Sequence, residues 1–470
     1  MKLILNILSG GVGSRLWPMS RKNFPKPFLK LPNGFSLIQN TLLRALEIKD
    51  FDECITVTND SLLYHSVDEY SIIKDKVKTT FILEPFGRNT APAIISAALY
   101  AMKLYDDPDI FILTLPADHV INDSLSFKKA VNDAFDIAKN YSLVTFGIVP
   151  NSPSVNFGYI QNFKNDVISF KEKPDAVLAK KYISDENYLW NSGMFCFHVG
   201  NFVSELEKHC KDLLADIDQV TNNLKKYLID DNECFFIQEN FFKNIRNISI
   251  DYALLEKSKN IGVVPCSIGW NDIGVLDAFT NQIPTKENNN RIMGNAILKN
   301  CTNTSIVSEE RLTAAIGLKN IIIIDSKDAL LVLDSNSSDD VKLIYNELKK
   351  QNAKEVDNHP EVYRPWGSFY VLNEALNFKV KHIKVHPKKR LSLQKHQFRS
   401  EHWVVVRGVA NVIRGDDEII LTSNQSIFIS PNTPHQLINN GTELLELIEV
   451  QSGEYLGEDD IVRINDPYKR

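Results

Sequence analysis

LSGGVGSRLWPMSRKNFPKPFL, Leu8 to Leu29, begins where the chain's first apolar run, LILNIL, ends. A short apolar run ahead of glycines reads as a buried strand that feeds a loop. Ser9, Gly10, Gly11 and Gly13 follow that strand, and positions without bulky side chains let backbone N–H groups converge on an anion at no steric cost. Arg15 can fork onto phosphate oxygens, and Lys26, held between Pro25 and Pro27, offers a compact point charge. The loop lacks the GK[ST] ending of a P-loop and does not match GxGxxG. Taken alone it also fits a tight glycine turn with two surface cations.

Around this stretch, strand-like runs alternate with helical patterns as far as about residue 285. CITVTN, TTFILEP, IFILTLPAD and SLVTFGIV are separated by segments such as SLIQNTLLRALEI and TAPAIISAALYAMKLY. That alternation predicts an α/β domain, a mostly parallel sheet with helices on both faces, whose ligands bind beyond the carboxyl ends of the strands. Residues 286–350 open on KENNNR and continue as short β-like pieces, with a helix expected in DDVKLIYNELKKQ, so they read as a small β-rich linker module. Residues 351–470 form a third region, in which short strands from Tyr363 onward are punctuated by Gly, Asn and Pro; this predicts an antiparallel barrel or jelly roll.

The chain has 470 residues, 43% hydrophobic and 24% charged, enough for two or three cores. Its formal net charge of −6 gives no global basic field, which argues against nucleic acid or an acidic membrane as partner. No apolar stretch approaches the roughly 18 residues a membrane-spanning helix needs. The N-terminus breaks into glycines and arginine without a signal-peptide cleavage pattern. Six scattered cysteines with no CxxC pair argue against zinc fingers and redox motifs and make a reducing cytoplasm the expected location.

Four further stretches favour phosphate chemistry at the loop. EPFGRNTAPAI (84–94) places Glu84, Arg88 and Asn89 at a strand end before a helix, and LPADHVI places Asp118 at another strand end. KEKP (171–174) holds Glu172 between two lysines, and WNDIG (270–274) supplies Asp272. Two aspartates from distant strand ends are the hard oxygen ligands that Mg2+ needs when it bridges phosphates. With cations from Arg15, Lys26 and Lys173, the set suits phosphoryl-type transfer, which depends on alignment and charge neutralisation.

Together with PKPF, FKEKP, WNSGMF and SIDYALLE, these motifs make roughly the first 280 residues resemble the sugar-1-phosphate nucleotidyltransferases, specifically the mannose-1-phosphate guanylyltransferases. The resemblance implies a Rossmann-like nucleotidyltransferase domain at 1–285. It also implies attack of mannose 1-phosphate on the α-phosphate of GTP, forming GDP-mannose and pyrophosphate with no covalent intermediate. Carried over by position, Gly10, Gly11 and Arg15 hold the triphosphate, Lys26 neutralises the reacting phosphates, and Asp118 and Asp272 bind magnesium. Lys173 takes the sugar phosphate, while Gly158, Glu172 and Asn191 line the sugar site. Glu84 is the candidate acceptor for the guanine N1–H and N2–H2 donors, with Asn89 beside it among the substrate-binding residues. Where the family commonly has PKQF and WSD, this chain has PKPF and WND, and the neighbouring charges are kept.

In the last region, LSLQKHQFRSEHW (391–403) and SPNTPHQLIN (430–439) bring together Gln394, His396, Glu401 and His435 as a mixed N/O metal site. On a strand, positions 394 and 396 share a face, as two ligands must. Q-x-H-x4-E-x6-G followed by P-x-x-x-H-x3-N, with RPWGSFYVL nearby, resembles the two cupin motifs and, after a guanylyltransferase, the type II phosphomannose isomerase domain. The resemblance implies a cupin β-barrel using Zn2+ or a similar divalent ion to interconvert mannose 6-phosphate and fructose 6-phosphate. That reaction moves a proton between C1 and C2 through an enediol. Arg399, in RSEHW, matches the family arginine and is assigned to phosphate or enediolate stabilisation; the base is left unidentified.

The chain is thus read as a bifunctional enzyme of GDP-mannose and polysaccharide biosynthesis, with self-association into a homo-oligomer expected on no particular motif. Two alternatives stay open. One is a guanylyltransferase for another sugar 1-phosphate with an inert cupin; the other is a non-catalytic protein that senses nucleotide. Retention of Arg15, Lys26, Asp118, Lys173 and Asp272 counts against the second.

Overall fold

The computed structural model describes residues 2–107, 109–185 and 187–468. They form two compact units, the first ending at Asp357 and the second beginning at Asn358. Among the described residues no helix is long and apolar enough to cross a membrane.

The first unit is built on a large sheet that contains all five expected runs. Its centre is parallel, in the order Lys78–Glu84, Glu53–Asn59, Lys2–Ser9, Ile110–Pro116. The chain adds strands on one side of Lys2–Ser9 and then crosses to the other, so the sheet has a switch point at the end of the strand that feeds the glycine loop. Beyond Ile110–Pro116 lies a strand the alternation did not predict as antiparallel. Tyr188–His198, which carries WNSGMF, runs opposite to both Ile110–Pro116 and Leu143–Ile148. Most of its side chains are buried on both faces, so no two-residue hydrophobic period marks its direction.

Helices cover both faces over two apolar clusters. Leu5 and Ile7 point into one and Ile4 into the other, all fully buried, each contributing on the order of 1.5–3 kcal/mol. Helix Leu37–Ile48 starts at a reciprocal cap between Ser36 and Gln39. Helix Thr90–Tyr105 is buried all round from Ala91 to Ala101, which is why TAPAIISAALYAMKLY is apolar on more than one face.

Residues 286–357 pack within this first unit. Arg291–Lys299, Ser305–Ile316 and Ile321–Asp325 are successive parallel strands closed by antiparallel Leu330–Asp334, and the expected helix follows at Val341–Lys350. Their apolar faces share a cluster with residues that trail the glycine loop: Leu16, Trp17 and Met19 meet Ile322, Val341 and Val356. Trp17 Nε1 donates to the Glu355 carbonyl at 2.9 Å, and the N–H groups of Lys22 and Asn23 donate to the carbonyls of Val356 and Asp357 at 3.0 and 2.9 Å. The Arg21 side chain is wholly buried; it donates to Asp328 Oδ1 at 2.7 Å and to the Glu355 carbonyl. The loop therefore rests on a wall made by the chain nearly 340 residues later.

The second unit is antiparallel throughout, and the expected jelly-roll architecture is found. One sheet runs in the order Glu361–Arg364, Gly367–Ala375, Phe378–Val385, Leu445–Gly453, Arg399–Arg407, Ser426–Ile429. The other runs Asp417–Leu421, Ala410–Arg414, His435–Ile438, Leu393–His396, Ile461–Asn465. Trp366, Trp403, Val412, Leu437 and Leu447 pack in a single core. Along Arg399–Arg407 the alternation buries Arg399, Glu401, Trp403 and Val405, so two charged groups are turned inward with the apolar ones.

Replacing Arg21 with Leu removes the cation paired with Asp328 and one of the two donors to the Glu355 carbonyl. The expected loss is about 3 kcal/mol of unfolding free energy, measured by urea denaturation of the full chain; an unchanged midpoint would show that the buried pair does not support the loop.

Candidate active sites

Residues from the glycine loop and from the carboxyl ends of the central strands line a cavity of about 1090 Å³ in the first unit. Gly10 and Gly11 form one part of its wall. Gly11 and Gly13 have φ of +89° and +70°, and a Cβ on Gly13 would fall 2.8 Å from Lys26 Cβ; the turn thus requires glycine both for conformation and for room.

Asp118 and Asp272 meet through a two-residue antiparallel ladder in which Val120 pairs with Asn271 and Ile121 with Trp270. Lys26 Nζ joins them, 2.8 Å from Asp118 Oδ2 and donating to the Asp272 carbonyl. Burial pushes the Asp118 carboxyl up, but the Lys26 ammonium, then His119 and the hydrogen bond from Lys26, more than offset this and hold it below its ordinary value. His119 is driven to about 4, chiefly by burial and against the pull of Asp118, so its neutral ring accepts from Trp270 Nε1 at 3.1 Å. Ile273 has φ of +47°, an unfavourable conformation for a β-branched residue. Asn271 Oδ1, which accepts from the Ile273 N–H at 2.7 Å, and full burial of the Ile273 side chain hold it there.

Glu84 lies on the same cavity at the end of Lys78–Glu84. It is 7% exposed, its Oε1 has no hydrogen-bond partner, and burial pushes its carboxyl up to about 8. Asn89, at φ +69°, lines the cavity too, and its side chain accepts from the Thr90 N–H at 2.9 Å to cap helix Thr90–Tyr105. Gly158, Glu172, Lys173 and Asn191 gather on the same cavity. The Asn191 N–H donates to the Gly158 carbonyl at 2.8 Å, and Lys173 Nζ is 3.2 Å from Glu172 Oε1. A Cβ on Gly158 would fall 2.5 Å from Glu172 Oε2.

Arg15 stands apart from the wall, with its guanidinium 3.6 Å from Asp339. Lys26 is buried behind the wall and reaches the site only through the two aspartates. The cavity also takes in His119, Trp270 and Asp251. Each lies inside one of the motifs LPADHVI, WNDIG and SIDYALLE, yet motif spacing alone assigns none of the three to the site.

In the second unit, His396, Glu401 and His435 offer ligand atoms within 4.8 Å of one another, all buried. His396 Nε2 is 3.1 Å from Glu401 Oε1, and His435 Nε2 is 3.5 Å from Glu401 Oε2. His435 Nδ1 lies 2.9 Å from the Thr433 carbonyl, to which it donates; its Nε2 is buried without a hydrogen-bond partner, as is His396 Nδ1. Lone pairs left this way suit a divalent cation. Gln394 pairs with His435 across the sheet, and its Oε1 accepts from Ser392 Oγ at 3.0 Å. Burial would raise the Glu401 carboxyl, but the two neighbouring imidazoles hold it well below its ordinary value.

Arg399, 2% exposed, donates to Glu401 Oε1 at 3.2 Å and to the Gly457 carbonyl at 3.0 Å. Trp403 Nε1 is shared by Glu401 and Glu449, at 3.1 and 3.0 Å, and Gln451 Nε2 donates to the same two at 3.2 and 2.8 Å. Burial, then the charge of Glu401, raises the Glu449 carboxyl. Arg364, Lys381 and Arg463 line the adjoining pocket. Its volume is about 50 Å³, room for a water or two, so a larger ligand must displace side chains to enter. Sequence spacing singled out neither Glu449 nor Lys381; only their inward positions on Leu445–Gly453 and Phe378–Val385 do so.

Two family models match this chain: nucleotidyl transferase over residues 6–289, and mannose-6-phosphate isomerase C-terminal over residues 351–466. The mannose-1-phosphate guanylyltransferase RfbM of Salmonella typhimurium is 39% identical over 470 residues, covering 99% of this chain and 97% of that protein. The alginate biosynthesis protein AlgA of Pseudomonas putida is 39% identical over 473 residues, covering 99% and 96%. A solved mannose-6-phosphate isomerase from Helicobacter pylori superposes with a TM-score of 0.52 at 31% identity, covering 58% of this chain and all of that one. Nucleotidyltransferase and cupin-type isomerase domains of these kinds use divalent metals, in keeping with the His396, Glu401 and His435 cluster.

Two outcomes follow from the geometry. Glu84 is harder to ionise in the folded than in the unfolded chain, so its contribution to stability is greatest below the unfolded carboxyl range and is lost as pH rises towards about 8. Glu84→Gln should therefore melt above the wild type at pH 9, by scanning fluorimetry, with the gap closing towards pH 5. His435→Ala should weaken divalent-metal binding, read by elemental analysis and titration, by more than the roughly 10- to 100-fold that loss of an outer partner costs.

Proposed function

Because the chain belongs to the mannose-1-phosphate guanylyltransferase family, we propose that its first unit transfers GMP from GTP to mannose 1-phosphate, releasing pyrophosphate, and that its second interconverts mannose 6-phosphate and fructose 6-phosphate. The observation that carries the first part is the register of the two short strands, which sets Asp118, Asp272 and Lys26 against one another beside the glycine loop.

A phosphate oxygen of mannose 1-phosphate attacks the α-phosphorus of GTP, the bond to the β-phosphate oxygen breaks, and pyrophosphate leaves. The attacking oxygen already carries charge, so no general base is needed and the work is alignment and neutralisation. Backbone N–H groups at Gly10 and Gly11 face the triphosphate, and Lys173 pairs with the phosphate of the sugar. Arg15 leaves Asp339 for the phosphates, an exchange of one exposed anionic partner for another. Asp118 and Asp272 would hold Mg2+, which neutralises charge on the reacting phosphates when bound. Lys26 keeps the Asp118 carboxylate ionised and in place. The guanine N1–H and N2–H donors favour the ionised form of Glu84, which accepts from both, and they supply the partner that its buried Oε1 lacks.

In the second unit His396, Glu401, His435 and Gln394 would hold Zn2+ or a similar ion, which polarises the sugar's oxygens when bound. Glu449, a second carboxyl beside that set, carries the proton between C1 and C2, and Arg399 stabilises the developing oxyanion; the hydrogen bonds that tie both to the Glu401 cluster support this reading. Arg364 and Arg463 at the pocket supply cations for the 6-phosphate. The two reactions are not consecutive, because mannose 6-phosphate must first become mannose 1-phosphate; a separate phosphomutase has to act between them.

The test is pyrophosphate release with GTP and mannose 1-phosphate, against glucose, fucose and heptose 1-phosphates and against ATP and dTTP. Mannose- and GTP-dependent release is expected, falling by about 100-fold or more in Asp118→Asn. Release with a different sugar alone would overturn the substrate assignment, and full activity in Asp118→Asn would overturn the metal assignment.

A further inference from the structure

One cavity residue has no part in the phosphate chemistry. Asp251 opens the short turn Asp251–Leu255 and faces the same cavity as Glu172 and Asn191. The backbone leading to it is tied down: the Ile250 N–H donates to Thr90 Oγ1 at 3.0 Å, and the Ala91 N–H donates to the Ile248 carbonyl at 3.2 Å. Asp251 Oδ1 accepts from Asn191 Nδ2 at 2.8 Å. On its other side the Asn191 amide oxygen accepts from Thr145 Oγ1 at 2.9 Å and from the Gly193 N–H at 3.4 Å. The amide therefore has one orientation, with its oxygen turned to donors of the protein and one N–H still available.

Two carboxyl groups and one oriented amide N–H thus meet on one cavity. The Glu172 carboxylate is 3.2 Å from Lys173 Nζ. Burial, and after it the charge of Glu172, pushes the Asp251 carboxyl up to about 6. Neighbouring carboxylates are costly in a buried setting unless donors are brought to them, and a sugar ring brings hydroxyl donors on adjacent carbons together with oxygens that accept. Among the described residues no third His, Cys, Asp or Glu completes a metal set here, so a polyol accounts for the arrangement better than a cation.

We propose that Asp251 is a specificity-determining residue of the sugar site: with Glu172 it accepts from two neighbouring ring hydroxyls of the hexose 1-phosphate, while it turns the Asn191 amide to donate to a third sugar oxygen. This rests on the transferase reading of the first unit and adds to it the group that distinguishes one hexose from another.

The test uses the full chain with magnesium and compares mannose 1-phosphate with its 2-deoxy and 3-deoxy analogues, in the wild type, Asp251→Asn and Asp251→Ala. In both variants the KM for mannose 1-phosphate should rise by about 10- to 100-fold, with the KM for GTP within a factor of about two. In Asp251→Ala, at least one deoxy analogue that is poor for the wild type should become as good a substrate as mannose 1-phosphate, because the acceptor its hydroxyl served is gone. Unchanged analogue penalties, or a parallel rise in both KM values, would overturn the assignment and leave Asp251 a packing residue. The near-isosteric Asn variant keeps the comparison sound if the Ala variant folds poorly. Failure of the wild type to release pyrophosphate with any hexose 1-phosphate would instead sink the transferase reading, and the two failures are distinguished by the wild-type control.

Discussion

A single buried ammonium organises the first unit's cavity. Lys26 Nζ lies between the Asp118 carboxylate and the Asp272 carbonyl, and without it the half-buried Asp118 carboxylate would lose its ammonium partner. The ladder that brings these two strand ends together is only two residue pairs long, too short to define the geometry unaided. The ion pair, the Trp270 to His119 hydrogen bond and the strained, fully buried Ile273 complete it. The loop that carries Lys26 is itself braced from behind by Glu355, Val356 and Asp357, so residues far along the chain share in positioning the glycines.

The cavity is chemically divided along its length. At Glu84 there is an acceptor with no cation against it; at the glycine loop there is a bare backbone wall, with Asp118 held by Lys26 from behind; at Glu172, Asn191 and Asp251 there are acceptors and one oriented amide. The protein holds this arrangement with backbone conformations that are individually unfavourable, such as φ of +42° at Lys173 and +69° at Asn89, which persist because the surrounding contacts over-determine them.

The second unit meets a similar need by inversion. At its centre is a carboxylate rather than a cation: Glu401 is surrounded by His396, His435, Arg399, Trp403 and Gln451, and every one of them presents a nitrogen to it. A jelly roll can do this because strand alternation turns every second side chain inward, and Arg399, Glu401 and Trp403 occupy consecutive inward positions of one strand.

Residue type and spacing along the chain were enough to define the α/β class, the five core runs and the antiparallel second unit, and to single out His396, Glu401 and His435, which cluster in the structure. These are legible because hydrophobic period and motif spacing are local properties, readable within a dozen residues. The chain order could not disclose that Tyr188–His198 runs antiparallel, since burial on both faces erases its period. Nor could it show that Arg15 rests on Asp339, that Lys26 works through two aspartates, or that Asp251 holds Asn191. Glu449 and Lys381 gave no signal, because a lone charge on a strand looks the same whether it faces water or the core. What each charged group touches depends on partners tens to hundreds of residues away, and only the packed sheets bring those partners within hydrogen-bonding distance.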